Sequence, residues 1–219
     1  MGKEIDLLNK YPKTKRNLSE RAEAKTEEDR AIARKFERDF FDGDRKHGYG
    51  GFYYNPRFWK DVVEDFRDYW NLNSDSSVLD VGCGKGFMLY DLVQLLPGIN
   101  IAGVDISNYA IENSVESIKP FLKVANATSL PYEDKSFDVV ISINTIHNLD
   151  EEELIISLNE IERVSKKFSF ITVDAYNNEL EKERMFQWNL TAKTIKSVSD
   201  WKEFFIKNNY HGDFYWFTP

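Results

Sequence analysis

Three glycines and two aspartates in the middle of the chain have the types and spacing needed to bind a nucleotide-like ligand. The segment VLDVGCGKGF contains Asp80 and then Gly82, Gly84 and Gly86, directly after an apolar run that predicts a β-strand. Glycines where a strand turns into a helix allow a tight turn and let a ligand approach the backbone. Asp105 closes the next apolar run, IAGVD, so both carboxylates are expected at one edge of a sheet.

Asp105 is placed to accept hydrogen bonds from the ribose hydroxyls of an adenosine group. The alternative is a helix cap, because Asp105 also precedes a predicted helix. We favour the ligand role, since the glycine turn and this carboxylate converge on one crevice. The spacing G-x-G-x-G is one residue shorter than the dinucleotide fingerprint G-x-G-x-x-G, which counts against a dinucleotide ligand.

Short apolar strands alternate with helices through the second part of the chain. The predicted strands are 77–81, 101–105, 121–125, 137–143 and 168–174, with helices at about 86–96, 108–118 and 151–164, then a last helix and a final aromatic strand. This alternation predicts an α/β fold with a doubly wound, mostly parallel sheet covered by helices on both faces. We expect residues 1–72 to form an N-terminal helical cap and lid, and residues 73–219 to form the core of the same domain.

Two helices are predicted before the sheet. The first is a charged helix from about Ser19 to Phe41. The second has Asn55 as its cap and Pro56 at its first position, with aromatic and β-branched residues following on one face.

The three segments VLDVGCGKG, GVDIS and NATSLPYEDKSFDVVISINTIHNL resemble, in this order, the class I S-adenosylmethionine-dependent methyltransferases of the small-molecule branch. The resemblance covers residues 75–175. It implies S-adenosylmethionine as cofactor and S-adenosylhomocysteine as product, with the glycine turn holding the methionine part and Asp105 the ribose. Asn126 stands where this family has an acidic residue for the adenine amino group, and its amide can still pair with adenine. The implied cofactor-binding residues are Asp80, Gly82, Cys83, Gly84, Gly86, Asp105, Ile106, Asn126, Ala127 and Asn144.

The methyl acceptor is expected at the end of the fourth strand, where the resemblance puts Asn144, Thr145, His147 and Asn148 beside the transferable methyl group. His147 is a candidate base, because histidine has an unperturbed pKa near 6.5. The alternative is that His147 hydrogen-bonds the backbone of this turn or stacks on the cofactor. Asp174 and Tyr176, at the end of the fifth strand, are further candidates for contact with the acceptor, and Asp174 is a second catalytic candidate.

The segment HGYGGFYY places Tyr49, Tyr53 and Tyr54 among glycines in a predicted loop. It does not follow a core strand, so we do not expect it to cradle a phosphate. The hypothesis is a lid whose tyrosines touch the cofactor or acceptor and exclude water. The alternative is a rigid apolar brace for the neighbouring helix.

Composition limits the function classes. The 219 residues carry a formal net charge of −8, which argues against a nucleic-acid partner. No apolar run approaches the ~20 residues that span a bilayer, so no membrane partner is expected. The first residues lack a signal-peptide core, which predicts a cytoplasmic location. One cysteine and three histidines offer no recognisable metal spacing, so no metal is expected. Exposed aromatics in the N-terminal zone are compatible with a homodimer.

The sequence therefore predicts an enzyme that transfers a methyl group from S-adenosylmethionine to a hydroxyl or an amine of a small molecule. A sugar or a surface-glycan precursor is one acceptor class that the resemblance suggests. The alternatives are an NAD-dependent oxidoreductase, a non-catalytic binding module, and methylation of a protein side chain.

Overall fold

The computed structural model describes residues 2–12, 25–50 and 52–218. The strands are β1 (Ser77–Val81), β2 (Asn100–Asp105), β3 (Leu122–Val124), β4 (Phe137–Ile143), β5 (Ser165–Tyr176), β6 (Lys196–Ser197) and β7 (Asp213–Phe217). The helices are α1 (Glu27–Ala33), α2 (Arg38–Phe41), α3 (Lys60–Trp70), α4 (Phe87–Leu95), α5 (Asn108–Glu112), α6 (Glu151–Val164), α7 (Glu179–Trp188) and α8 (Val198–Lys207). Short 3₁₀ turns cover Lys119–Phe121 and Ile146–Asn148.

The strands form one sheet in the order β3-β2-β1-β4-β5, and β5 then pairs with both β6 and β7. Every strand pairing in the described part of the chain is parallel. From β1 the strands are added first towards one edge of the sheet, as β2 and β3, and then towards the other, as β4 and β5. In such sheets the ligand crevice lies outside the carboxyl ends of the strands at this switch point. The predicted doubly wound α/β fold is confirmed.

Helices cover both faces of the sheet, because alternate residues of each strand point to opposite sides. On one face, Val78 packs with apolar residues of α3 and α4, such as Phe66 and Leu89. On the other face, Leu79 packs with residues of α6 and α8, such as Leu158. The largest buried side chains include Trp201 and Phe205 of α8, so the final helix forms part of the core.

The structure corrects two predictions for the N-terminal part. The charged helix is interrupted, because Phe36 adopts a left-handed conformation with φ 52° between α1 and α2; the predicted start of this helix lies outside the described residues. Asn55 does not cap α3. Its side chain accepts from the amide of Arg57 in a turn, and the helix begins only at Lys60.

Two further elements differ from the prediction. The helix expected over 108–118 ends at Glu112, because the chain turns back and the Val115 amide donates to the Lys85 carbonyl in the glycine turn. Residues 179–188 form a helix for which the sequence shows no clear periodicity. Only Met185 and Trp188 of this helix are buried, which explains the weak pattern.

Candidate cofactor and acceptor site

The turn between β1 and α4, which we call the glycine loop (residues 82–86), needs glycine for two reasons. Gly82, Gly84 and Gly86 all have positive φ, at 88°, 54° and 75°. A Cβ on Gly82 would overlap the Thr145 side chain, so this glycine also permits close packing. At Gly84 the nearest atom to an added Cβ is the Phe41 Cε1, 3.5 Å away, so there is room over the backbone at this point. A ligand can therefore approach the loop at Gly84.

Asp105 ends β2 directly beside the glycine loop. One carboxylate oxygen accepts the Gly84 amide at 2.8 Å, and the other accepts the Ser107 amide at 2.9 Å. The cap of α5 is Ser107, whose hydroxyl accepts the Ala110 amide. A carboxylate has about four acceptor positions, so Asp105 retains acceptor capacity for hydroxyl groups of a ligand. Its pKa is raised by burial.

Asp80 lies in β1 just before the glycine loop and is 5% exposed. Burial, with a smaller contribution from the charge of Asp105, raises its pKa to about 8. Cys83 is also buried, and its pKa is raised by burial and by both carboxylates, so its thiol is not activated as a nucleophile. Two buried carboxylates with few donors suit a ligand that brings its own hydroxyl or ammonium groups.

The predicted adenine contacts lie at the same edge of the sheet, after β2 and β3. Ile106 is 54% exposed, which leaves its surface free to pack against a ligand ring. Asn126 is exposed, and its side-chain oxygen accepts the Thr128 amide at 3.0 Å. Its NH₂ group thus points away from this turn, and Ala127 beside it is half-buried. These placements fit an adenine site but do not test it.

A cavity of about 220 Å³ lies between the glycine loop and the N-terminal segments. Its lining combines the loop with aromatic rings: Tyr11, Phe40, Phe41, Gly50, Tyr53, Asn55, Phe58, Trp59, Asp80, Gly82, Cys83, Gly84, Lys85, Phe87, Met88 and Ile143. The structure thus brings Tyr53 to the glycine loop, as the lid hypothesis requires.

Tyr54 is not among the residues that line this cavity. Tyr54 donates to Asp91 of α4 and packs on Tyr90, which matches the brace alternative.

The segment after β4 is held tightly against β5. Asn144 has φ 51°, its amide donates to the Thr172 carbonyl at 3.1 Å, and its side-chain oxygen accepts the Thr172 hydroxyl at 2.9 Å. Asn148 donates weakly to the Asn144 carbonyl at 3.5 Å. The buried Asn148 Oδ1 has no hydrogen-bond partner among the described residues.

His147 and Asp174 lie side by side, both almost fully buried. The Asp174 backbone amide donates to His147 Nδ1 at 2.8 Å, so the ring proton of the neutral histidine is on Nε2. Burial lowers the pKa of His147 to about 3 and raises that of the Asp174 carboxyl to about 7. This geometry favours the alternative in which His147 bonds the backbone, because a protonated Nε2 cannot accept a proton.

Tyr49 anchors the predicted lid to the C-terminal part of the chain. Its hydroxyl accepts the amides of Leu190 at 2.8 Å and Thr191 at 3.2 Å, and its ring stacks on Trp188 at 4.7 Å. Burial first, and then the charge of Asp174, raise the pKa of Tyr49 to about 12. Tyr49 therefore joins the N-terminal segment to the segment that follows α7.

Tyr176 ends β5, with its ring 5.7 Å from the Lys182 Nζ. No hydrogen bond of its hydroxyl occurs among the described residues, and its part in the site stays a prediction.

Sequence reasoning missed a cluster that joins the N-terminal part to the glycine loop. The Lys85 ammonium, 8% exposed, donates to both carboxylate oxygens of Asp42 and to the Phe52 carbonyl. Tyr109 of α5 donates to the same carboxylate at 2.7 Å. A lysine inside the glycine motif was a visible signal, but nothing in the sequence marks Asp42 as its partner.

Two kinds of feature are absent from the described ranges. No group of three or more His, Cys, Asp or Glu side chains there could hold a metal ion. None of the helices there is long and apolar enough to cross a bilayer.

A family model described as a methyltransferase domain matches residues 72–211, more than half of the chain. The chain belongs to the class I S-adenosylmethionine-dependent methyltransferases. The predicted resemblance is confirmed, and the match counts against the oxidoreductase alternative.

Curated relatives are similar over part of their length. The Arabidopsis thaliana phosphoethanolamine N-methyltransferase 1 is 30% identical over 97 residues, 42% of this chain and 20% of the relative. A ubiquinone biosynthesis O-methyltransferase from Rickettsia bellii is 30% identical over 122 residues, 52% of this chain and 48% of the relative. The chain thus spans between a fifth and about half of the length of these relatives.

Solved structures share the fold. A Haloferax volcanii protein solved in complex with a methyltransferase activator has a TM-score of 0.54 at 22% identity, covering 68% of this chain and 72% of that protein. The YcgJ protein of Bacillus subtilis has a TM-score of 0.53 at 18% identity, covering 67% of this chain and 66% of that protein.

Proposed function

We propose that this methyltransferase transfers a methyl group from S-adenosylmethionine to a nitrogen or oxygen atom of a small molecule. The observation that carries the proposal is the convergence of the glycine loop and Asp105 at the switch point of the sheet. An open backbone at Gly84, two buried carboxylates short of donors and an exposed Ile106 fit an adenosyl amino acid, which brings hydroxyls, an ammonium group and a flat ring.

In this proposal each part of the cofactor has its own partners. The glycine loop with Asp80 and Cys83 holds the methionine part, and Asp105 holds the ribose. Ile106, Asn126 and Ala127 take the adenine, with Asn144 near the methyl group. When bound, the cofactor supplies an electrophilic methyl group on a sulfonium centre. The protein's contribution is to hold the acceptor in line and to exclude water.

Residues 1–72 act in this proposal as a cap on the core of residues 73–219. The Lys85–Asp42 pair and the Tyr49 hydroxyl bonds fasten this cap at two separate places, the glycine loop and the segment after α7. Tyr53, 82% exposed beside the cavity, is then the lid tyrosine placed to close over a bound ligand.

The acceptor must lose a proton when its nitrogen or oxygen forms the bond to the methyl carbon. Of the two candidate proton acceptors we favour Asp174 over His147. The Asp174 carboxyl has a pKa raised to about 7 by burial, which suits a base at neutral pH, whereas His147 Nδ1 is already bonded and its Nε2 carries the proton. His147 then acts as a positioning residue that holds the backbone of Asp174.

A small-molecule acceptor is supported by the names of both relatives, one an N-methyltransferase and one an O-methyltransferase of small molecules. The net charge of −8 also makes a nucleic-acid acceptor unfavourable.

Calorimetric titration tests the cofactor directly. S-adenosylmethionine and S-adenosylhomocysteine should bind the wild type in the micromolar range, and NAD should not. Asp105→Ala should weaken binding by about tenfold or more, since a charge-assisted hydrogen bond contributes about 1.5–3 kcal/mol. Asp138→Asn, in a carboxylate at the opposite edge of the sheet, is the control. Absence of binding of both adenosyl compounds would refute the proposal, and binding of NAD alone would restore the oxidoreductase.

A further inference from the structure

Residues 25–50, which we call the bridge, contact the core of the domain at two separate places. At the first, the Asp42 carboxylate accepts from the Lys85 ammonium of the glycine loop, and we call this the loop contact. At the second, the Tyr49 hydroxyl accepts the Leu190 amide in the segment after α7, and we call this the α7 contact. The bridge therefore joins two parts of the core that are far apart in the sequence.

The two contacts lie on opposite sides of the switch point of the sheet. The loop contact is beside β1 and β2, because the glycine loop follows β1 and two of its amides donate to the Val104 carbonyl of β2. The α7 contact is on the side of β4, because the amides of Lys193 and Thr194 donate to the His147 carbonyl in the turn after β4. Since β1 and β4 are neighbours in the sheet, the bridge crosses the crevice between them.

The loop contact is loosely packed. The cavity of about 220 Å³ lies between the bridge and the glycine loop, and surfaces that face a cavity lack the dispersion contacts of a packed interface. The Lys85 ammonium supplies donors to Asp42 and to the Phe52 carbonyl, just after the bridge, and Tyr109 adds one hydrogen bond to Asp42. The Asp42 side chain is 22% exposed, so water can replace these donors when the contact opens.

The α7 contact is more tightly packed. The Tyr49 ring stacks on Trp188, which is 5% exposed and also stacks on Phe217 of β7, so the rings tie the bridge to the sheet. Arg30 of α1 donates to the Asn189 carbonyl at 3.1 Å and adds a second tie. Opening this contact would expose buried aromatic surface and break several hydrogen bonds together, which makes it the more costly of the two to separate.

We propose that the bridge is a gate over the cofactor crevice that opens at the loop contact and stays attached at the α7 contact, with Lys85 holding it closed. Opening at this side uncovers Gly84, where a ligand can approach the backbone. The inference rests on the proposed function for the identity of the ligand that the gate admits, but not for the motion itself.

Distances between pairs of nitroxide spin labels, measured by pulsed electron paramagnetic resonance on the full chain, test the direction of opening. Cys83→Ala first removes the single native cysteine. Labels at the exposed positions Arg45→Cys and Glu112→Cys span the loop contact, and labels at Arg45→Cys and Glu183→Cys span the α7 contact. Lys85→Met should add a longer-distance population to the first pair and leave the second pair unchanged.

Two further variants calibrate this result. Tyr109→Phe removes one hydrogen bond to Asp42 and keeps the ion pair, so its longer-distance population should be smaller. Lys167→Met breaks the pair with Asp138 at the opposite edge of the sheet and should change neither distance. An unchanged first distance in Lys85→Met, or a longer second distance, would overturn the proposal.

The rate of S-adenosylhomocysteine binding tests whether the gate controls entry. Stopped-flow intrinsic fluorescence follows binding, since Trp59 lines the cavity. If the gate must open first, the observed rate levels off at the opening rate as ligand concentration rises. Lys85→Met should raise this plateau about tenfold, the scale expected for a lost charge-assisted hydrogen bond.

Tyr49→Phe is the matched control, because it weakens the α7 contact and should leave the plateau unchanged. A wild-type rate that rises linearly over the whole concentration range, or equal plateaus in Lys85→Met and the wild type, would contradict the gate.

Failure of the proposed function has a different signature. It would appear as absence of S-adenosylhomocysteine binding in the calorimetric titration, whereas the label distances need no ligand and report on the gate alone.

Discussion

Lys85 in the glycine loop and Asp42, 43 residues earlier in the chain, form an ion pair in which both carboxylate oxygens accept from the one ammonium group. The Lys85 side chain is 7% exposed and that of Asp42 is 22% exposed. The pair therefore joins the segment that covers the cavity to the loop that forms its floor. Because the Lys85 side chain is more buried than that of Asp42, substitutions at the two positions should lower the free energy of unfolding by different amounts.

The first prediction is that Asp42→Asn destabilises the protein more than Lys85→Met. Asp42→Asn leaves a buried ammonium without a balancing charge, and breaking a buried pair in this way costs up to about 3–5 kcal/mol. Lys85→Met leaves a carboxylate that still has Tyr109 as a donor and some access to water. Urea unfolding of both variants measures the difference in the free energy of unfolding.

The double variant provides the control for this pair. Asp42→Asn combined with Lys85→Met should recover part of the stability lost in Asp42→Asn, because the unbalanced charge is gone. Lys167→Met, which breaks the more exposed pair with Asp138, should cost under about 1 kcal/mol. Equal losses in the two single variants would contradict the assignment of Lys85 as the buried partner.

The sequence was sufficient for the parts of the fold that depend on local pattern. The strand at 137–143 and the helix at 151–164 were predicted to the residue, since continuous apolar runs and an aspartate cap are local signals. The glycine loop was found for the same reason. Helix α3 was placed four residues early, because Asn55 and Pro56 form a turn with the signature of a helix start.

The contacts that complete the site could not be predicted from local pattern. The Tyr49 hydroxyl bonds the Leu190 amide across 141 residues, and His147 bonds the Asp174 amide across 27. The sequence does not indicate that either amide bonds a side chain, because a backbone amide can donate to a side chain only where the tertiary fold leaves it without a backbone partner. The sequence therefore identified Tyr49, His147 and Asp174 as candidate site residues but did not predict their hydrogen-bond partners.

The second prediction concerns the pH dependence of stability caused by Asp80. Burial and the charge of Asp105 raise its pKa from the usual 3.8 of an aspartate to about 8 in the folded protein. Between these values the unfolded chain releases the proton that the folded protein keeps, so the wild type loses stability as pH rises from about 4 to about 8. Asp80→Asn lacks this loss, and its melting temperature should rise relative to the wild type over this range.

Asp138→Asn is the control, because the pKa of Asp138 is shifted in the direction opposite to that of Asp80. Although burial opposes it, hydrogen bonds from Lys167 and Ser77 lower the pKa of Asp138. The wild type should therefore be favoured over Asp138→Asn above about pH 4 and lose that advantage in acid. Melting temperatures of the unliganded proteins from pH 4 to pH 8.5 measure both effects. A constant gap between Asp80→Asn and the wild type would rule out the raised pKa.

The third prediction separates the two roles considered for His147. In His147→Asn the side-chain oxygen can take the place of Nδ1 and accept the Asp174 amide, whereas His147→Ala leaves that buried amide unpaired. An unpaired buried group costs about 1–3 kcal/mol. His147→Ala should therefore be clearly less stable than His147→Asn in urea unfolding.

Methyl transfer from labelled S-adenosylmethionine to an amine or hydroxyl acceptor gives the functional readout for the same two variants. A positioning role predicts that His147→Asn keeps most of the transfer rate and His147→Ala loses it. Retained stability with lost transfer in His147→Asn would instead support His147 as the base. Because burial lowers the pKa of His147 to about 3, the wild type should also lose stability relative to His147→Asn as pH falls below about 6.5.

The fourth prediction compares two tyrosines for which the sequence suggested the same role. Tyr49→Phe removes the oxygen that accepts the Leu190 and Thr191 amides, and it should cost about 1–3 kcal/mol. For a protein of this size each kcal/mol lowers the melting temperature by about 2–4 °C. The stacking of the ring on Trp188 can persist in Tyr49→Phe, so the loss of stability reports on the hydroxyl.

Tyr53→Phe should leave the melting temperature unchanged, because Tyr53 is 82% exposed and surface substitutions usually stay within about 0.5 kcal/mol. Its effect should appear instead in ligand binding. Tyr53→Ala removes an aromatic ring from the cavity wall beside the glycine loop and should speed the release of S-adenosylhomocysteine, measured by stopped-flow fluorescence. A drop in melting temperature for Tyr53→Phe, or an unchanged release rate for Tyr53→Ala, would contradict Tyr53 as the lid residue.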